Sequence, residues 1–195
     1  MKEVGLNSFR TSFQWSRIFS DCEGTVNETG VRFYQEVLDE LLRQGIEPII
    51  CLHHFDMPMY WMEKGGFENR ETVDGFAKFA AKCFELFGDK VKRWITFNEP
   101  IVIAEGGYIY KRHYPALCDC KKAVLVGYHI QLASSMAVRE FRKSGKEGTI
   151  GIVLNLTPTY CKDETNPEDQ KSAEIADLLF NRSFLAVSYT HLRAH

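Results

Sequence analysis

Glu99 stands between Asn98 and Pro100 at the end of an apolar run covering residues 91–97, and a carboxylate beside an amide in that position can perform one half of a hydrolytic reaction. As a general acid it would protonate a departing glycosidic oxygen. Asn98 would hydrogen-bond the sugar's 2-hydroxyl, a contact that strengthens as the transition state gains oxocarbenium character. A general acid must hold its proton near neutral pH, which apolar surroundings favour, and Trp94, Phe97 and Pro100 flank this one in sequence. The same tripeptide can also do no more than turn the chain out of a strand, since proline often follows such an end. Both readings stand on these residues alone.

Other strand ends add to the first reading. His53 and His54 close the apolar run 46–52, and two successive residues of a strand point to opposite faces, so one histidine is expected to face outward at the end of the strand. Asp56 and the aromatic residues Phe55, Tyr60 and Trp61 follow; polar groups at the edge of a ring and aromatic surface under it are what hold a pyranose. Arg10 sits on the first apolar stretch, where it can orient the catalytic carboxylate or serve as an ion-pair partner inside the fold. Lys111, Arg112 and His113 lie beyond Glu99 and read as a solvated loop with Gly106 and Gly107 before it.

These residues need a scaffold that brings strand ends together. Apolar residues at 31, 33, 34, 37, 38, 41 and 42 have helical spacing, with Asn27 or Thr29 as cap and Gly45 as terminator. A strand over 46–52 follows. A second helix over 72–87 stops at Gly88 and leads into a strand over 91–97. A third, over about 121–143, ends at Gly145 and leads into a strand over 148–155. Strand then helix, repeated at these intervals, predicts right-handed crossover units in a parallel sheet, either a (β/α) barrel or a doubly wound sheet. No glycine-rich phosphate loop follows any strand, which weighs against a nucleotide-binding doubly wound fold. In a barrel the polar residues after each strand, Arg10, His53 to Asp56, Asn98 with Glu99, and Asn155, all lie on the C-terminal rim where barrel active sites are built.

Composition narrows the partners. The chain has 195 residues, 45% of them hydrophobic, enough for one ordinary domain. With 24 basic and 26 acidic residues it has no global positive field for nucleic acid. No apolar run has the length of a membrane span and no secretory signal begins the chain, so no membrane partner is expected and the cytoplasm is the expected location. The six cysteines do not form a disulfide framework and are expected to be reduced. Cys118-Asp119-Cys120 lacks the spacing and the second ligand pair of a zinc site, so no metal is expected.

The segments NSFRTSFQWSRI (7–18), GIEPIICLHHFDMP (45–58), GGFENR (65–70), FGDKVKRWITFNEP (87–100) and IGIVLN (150–155) resemble, in order and spacing, the successive signatures of glycoside hydrolase family 1. The resemblance implies a (β/α)8 barrel, retention of anomeric configuration, Glu99 as acid/base, His54 and Asn98 as sugar ligands, and no cofactor. Phe55 stands where members acting on plain glucosides commonly have Trp. His54-Phe55-Asp56-Met57-Pro58 is more similar to the 6-phospho-β-glucosidase branch, whose phosphate-binding residues lie in the C-terminal part of its members. The implied substrate is a β-linked disaccharide or aryl glucoside, possibly 6-phosphorylated; plain β-glucosides or β-galactosides are the second choice. A non-catalytic carbohydrate-binding barrel fragment is the alternative from another class.

A complete barrel takes about 250 residues, so the expected architecture is a partial (β/α)8 barrel, roughly strands 2 to 5 with their helices, over residues 1–186. Relatives carry a sugar-binding Gln on their first strand and the catalytic nucleophile on their seventh. Asp56 and Glu105 are not substitutes for that nucleophile, so the chain by itself is expected to be inactive. Residues 187–195 depart from the resemblance and read as a non-native tail.

Overall fold

The computed structural model describes residues 1–185; the expected non-native tail, 187–195, lies outside them. Four parallel strands, β1 (Ser8–Ser12), β2 (Glu47–His53), β3 (Arg93–Asn98) and β4 (Thr149–Val153), form one sheet in the order β1-β2-β3-β4. Each strand lies beside its predecessor, with Arg10 opposite Ile49, Ile50 opposite Trp94 and Trp94 opposite Ile150. A doubly wound sheet reverses direction at a switch point. This sheet does not reverse, and its winding is that of a barrel wall.

Seven helices connect and cover the strands: α1 (Trp15–Ile18), α2 (Glu28–Arg43), α3 (Met59–Met62), α4 (Arg70–Phe87), α5 (Pro100–Tyr108), α6 (Cys120–Ser144) and α7 (Pro167–Asp177). A short 3-10 turn, Gly66–Glu68, precedes α4. The periodic segments 31–42, 72–87 and 121–143 fall inside α2, α4 and α6. Local chemistry sets the ends of these helices. Asn69 accepts from the Glu71 N–H at the start of α4, and Asp119 accepts from the Lys121 and Lys122 N–H groups at the start of α6, satisfying donors the helices leave free. Asn27 takes the cap position of α2, but its side-chain amide donates to the Arg17 carbonyl instead. Gly45, in left-handed conformation at φ 66°, ends the turn after α2, a geometry that costs glycine nothing.

The core lies between the sheet and the helices and is largely aromatic. Phe13 meets Tyr34, Phe87 and Trp94 at 4.5, 4.6 and 6.0 Å between ring centroids. Trp15 stacks on Phe79 at 5.3 Å, and Phe84 stands edge-on to Trp94 at 5.0 Å. Tilted and edge-to-face pairs of this kind are the favoured aromatic arrangements, and they fix α4 against β3 and against the segment that follows β1. No helix among the described residues is long and apolar enough to cross a membrane.

Two elements depart from the sequence reading. Gly106 and Gly107 are not in a loop but in the last turn of α5, buried. The chain beyond them folds back: the His113 N–H donates to the Gly106 carbonyl at 3.0 Å, and a β-carbon on Gly106 would lie 2.5 Å from the His113 ring. The glycine is what lets the loop close on the helix. Lys111, Arg112 and His113 themselves are exposed, as expected of a solvated loop. Trp61 is not at the rim. It is 5% exposed, beside Trp15 at 5.8 Å and against α4, where a β-carbon on Gly75 would come within 2.2 Å of its ring.

Candidate active site

Asn98 reaches the inner face of the sheet because β3 carries a bulge. Trp94 and Thr96 face the helices, Trp94 against Phe84 and Thr96 against Ser134 of α6. Strict alternation would turn Asn98 the same way. Between Ile95, opposite Gly151, and Asn98, opposite Val153, three steps on β3 match two on β4. The extra residue is Phe97, which also faces the helices, 4.6 Å from Phe76 and 5.6 Å from Phe67. A bulge re-aims the side chains that follow it. Here it delivers Asn98 to the opposite face, where its Oδ1 accepts from the Arg10 guanidinium of β1.

Arg10 therefore neither contacts the Glu99 carboxylate nor forms an ion pair among the described residues. It fixes the amide beside that carboxylate. Asn98 is 3% exposed, and with Arg10 on Oδ1 its amino group is left to donate elsewhere.

Glu99 follows at the N-cap position of α5 with φ 44° and ψ 63°. A side chain other than glycine in this left-handed region is held there at a cost of about 1–3 kcal/mol, by surroundings that determine it. Pro100 disfavours helical backbone in the residue before it. The restraints are hydrogen bonds at both ends of the residue: its N–H donates to the Val153 carbonyl at 2.8 Å and its carbonyl accepts from the Val102 N–H at 2.9 Å. Glu99 as a whole is half-buried. Trp94 and Phe97, expected to flank it, lie on the helix side of β3 and belong to the core.

The histidine pair divides as the alternation predicts. His53 is 2% exposed among Phe67, Phe76 and Phe97, with both ring nitrogens free of hydrogen bonds, and burial pushes its imidazole down to about 3. His54 is exposed. His53 pairs with Phe97, and His54 and Phe55 follow directly after the end of β2. The Phe55 ring stands edge-on to His54 at 5.1 Å and 5.7 Å from His113, with its backbone also left-handed at φ 72°. Asp56 is half-buried, its carboxyl raised by burial and opposed by a hydrogen bond with Gln14. Tyr60 donates its hydroxyl to the Phe19 carbonyl at 3.1 Å, so it serves the scaffold rather than a sugar wall.

Of the five expected site residues, Asn98 ends β3 and bonds Arg10 of β1, Glu99 follows β3, and His54 and Phe55 follow β2, the neighbouring strand. Reading the sequence missed Thr96 and Ser134, which stand behind the bulge. A threonine inside an apolar strand was the available signal for the first, and nothing in helical periodicity marks the second.

No group of three or more His, Cys, Asp or Glu side chains among the described residues is placed to hold a metal ion. Cys118 and Cys120 are exposed free thiols, and Cys51 and Cys83 are buried ones.

Comparison with known proteins extends this picture. Residues 1–191 match the model of glycosyl hydrolase family 1. The 6-phospho-β-glucosidase GmuD of Bacillus subtilis is 52% identical over 185 residues, which are 95% of this chain and 40% of that protein. β-Glucosidase A of Thermotoga maritima is 37% identical over 184 residues, 94% of this chain and 40% of that one. The structure of a Thermotoga maritima β-glucosidase in complex with deoxynojirimycin superposes with a TM-score of 0.88 at 37% identity, over 92% of this chain and 40% of that chain. The chain spans about 40% of the length of the curated relatives it matches.

Proposed function

We propose, because the chain belongs to glycosyl hydrolase family 1, that it is the acid/base portion of a retaining β-glycosidase whose substrates are 6-phospho-β-glucosides. The observation that carries the chemistry is the strained Glu99, held at the rim beside an Asn98 that Arg10 anchors. Glu99 gives its proton to the glycosidic oxygen as the bond to the anomeric carbon breaks, and the leaving group departs as a neutral alcohol. Asn98 donates to the 2-hydroxyl, His54 hydrogen-bonds the sugar's edge, and Phe55 offers an apolar surface beside His54. In the second half-reaction Glu99, now ionised, takes a proton from the incoming water.

Retention needs a second carboxylate about 5 Å from the first. The family resemblance puts it on a strand this chain does not contain, so on this reading the 195-residue chain alone does not turn over glycosides.

Support for the phosphorylated substrate is the 52% identity to a 6-phospho-β-glucosidase, together with Phe55 after His54. Plain β-glucosides are the second reading, supported by the 37% identity to β-glucosidase A. The phosphorylated reading carries a cytoplasmic location with it, because such sugars are made during uptake.

The test is to place this chain in its full-length enzyme and assay wild type and Glu99→Gln on a β-linked glucosyl disaccharide and on its 6-phosphate. Cleavage of the 6-phosphate alone, with loss of more than about a hundredfold for a disaccharide substrate in the variant, is the expected result. Preference for the unphosphorylated substrate replaces the first reading with the second, and unchanged activity in Glu99→Gln removes Glu99 from the mechanism.

A further inference from the structure

We infer that Ser134, on the outer helix α6, is a positioning residue for the general acid, acting through Thr96 and the bulge of β3. The inference rests on Glu99 being that acid.

Two hydroxyls sit behind the bulge. Thr96 Oγ1 donates to the Gly151 carbonyl of β4 at 3.2 Å and lies 2.7 Å from Ser134 Oγ. A hydroxyl has one hydrogen. Since Thr96 gives its hydrogen to Gly151, Ser134 must be the donor in the second bond. Both residues are buried, at 0% and 5% exposure, so neither hydroxyl can exchange its partner for bulk water, and an unmade bond there carries the full cost of a buried polar group.

The location of this chain of bonds gives it leverage. A bulge interrupts the ladder and leaves carbonyls without their strand partner; the Thr96 hydroxyl supplies a partner for Gly151 at the point where β3 and β4 fall out of step. Three residues further on, Glu99 depends on the same two strands, because its N–H must meet the Val153 carbonyl for the left-handed turn to hold. Ser134 thereby links α6 to the phase of β3, and the phase of β3 decides whether Asn98 and Glu99 present themselves at the inner rim. The neighbouring hydroxyl of Ser135 bonds only within its own helix, to the Gln131 carbonyl at 2.9 Å, and serves as a control.

A misplaced acid has a signature that general destabilisation lacks. A poor leaving group, such as the sugar alcohol of a disaccharide, needs protonation as its bond breaks, whereas dinitrophenolate departs without help. In the full-length enzyme, Ser134→Ala is expected to lower kcat/KM, which reports the first half-reaction, about tenfold for a disaccharide substrate and to leave kcat/KM for the 2,4-dinitrophenyl glycoside nearly unchanged. Ser134→Thr, which keeps the donor, restores most of the loss, and Ser135→Ala matches wild type. Equal loss on both substrates, or no loss on either, overturns the inference. Glu99→Gln run alongside separates the two claims: if it too lacks the leaving-group dependence, the assignment of Glu99 fails, and if it alone shows the dependence, only the role of Ser134 fails.

Discussion

Arg10 on the first strand hydrogen-bonds Asn98 on the third, reaching over the strand that lies between them. One guanidinium therefore spans three adjacent strands on the inner face of the sheet. Its partner is the amide proposed to meet the sugar through its amino group.

On the proposed reading, removing that anchor loosens the contact of Asn98 to the sugar's 2-hydroxyl. In the full-length enzyme, Arg10→Leu is expected to reduce kcat/KM by about ten- to a hundredfold on a glucoside, equivalent to about 1.4–2.8 kcal/mol. The loss should be several times smaller on the 2-deoxy analogue. Steady-state kinetics on the pair decide the matter, and equal losses would mean that Arg10 does not act through Asn98.

The left-handed backbone of Glu99 is a second target. Glycine adopts φ near 44° without strain, and the Glu99 side chain makes no cap bond to α5. Glu99→Gly is therefore expected to raise the stability of the chain by about 1 kcal/mol, while abolishing general acid catalysis in the full enzyme. Urea unfolding followed by circular dichroism checks the first half; a lower midpoint in the variant would show that the carboxylate contributes more than its backbone costs.

His53 makes stability depend on acidity. In the unfolded chain its imidazole takes up a proton near 6.5, whereas the folded protein keeps it neutral down to about 3. Between those values protons favour unfolding, so the contribution is intact above pH 6.5 and is lost as pH falls toward 3. At pH 5 the loss from this group is about 2 kcal/mol. His53→Phe removes the titrating ring and two nitrogens without partners, so its urea midpoint should fall less than that of wild type between pH 7 and pH 5. Parallel declines would show that other groups govern acid sensitivity.

Gly75 tests the packing of α4. A methyl group there would come within 2.2 Å of the Trp61 ring, and overpacking of this kind costs about 1–3 kcal/mol. Gly75→Ala should lower the thermal midpoint by several degrees and quench or shift tryptophan fluorescence. A midpoint unchanged within error would mean that Trp61 moves aside freely.

The strands and the three long helices were legible because each buries one apolar face, so spacing alone marks α2, α4 and α6. The parallel sheet followed from the alternation of these elements, but only strand order separated barrel from doubly wound sheet. The bulge was hidden because Trp94 to Phe97 read as one buried strand, in which an added residue leaves no trace in the apolar pattern. α5 was read partly as loop because its glycines signal turns; they serve instead to admit His113 and Tyr114 close against the helix. Of the residues assigned to the site, Asn98 ends β3, and His54, Phe55 and Glu99 follow the ends of β2 and β3, positions that could be read from the strand pattern, whereas Arg10 lies mid-strand in β1 and reaches Asn98 by its side chain. Tyr60 and Trp61 were misplaced because an aromatic side chain near a site looks the same in sequence whether it faces a sugar or a neighbouring helix.

The order β1-β2-β3-β4 is also an order of manufacture. A chain leaving the ribosome from its N-terminus can dock each strand on the one already formed, with no strand waiting for a distant partner. Glu99 is the exception. Its turn closes only on the Val153 carbonyl, so the residue proposed to do the chemistry is synthesised well before the atom that sets its backbone. During translation the acid takes its working shape one full strand-helix-strand unit late.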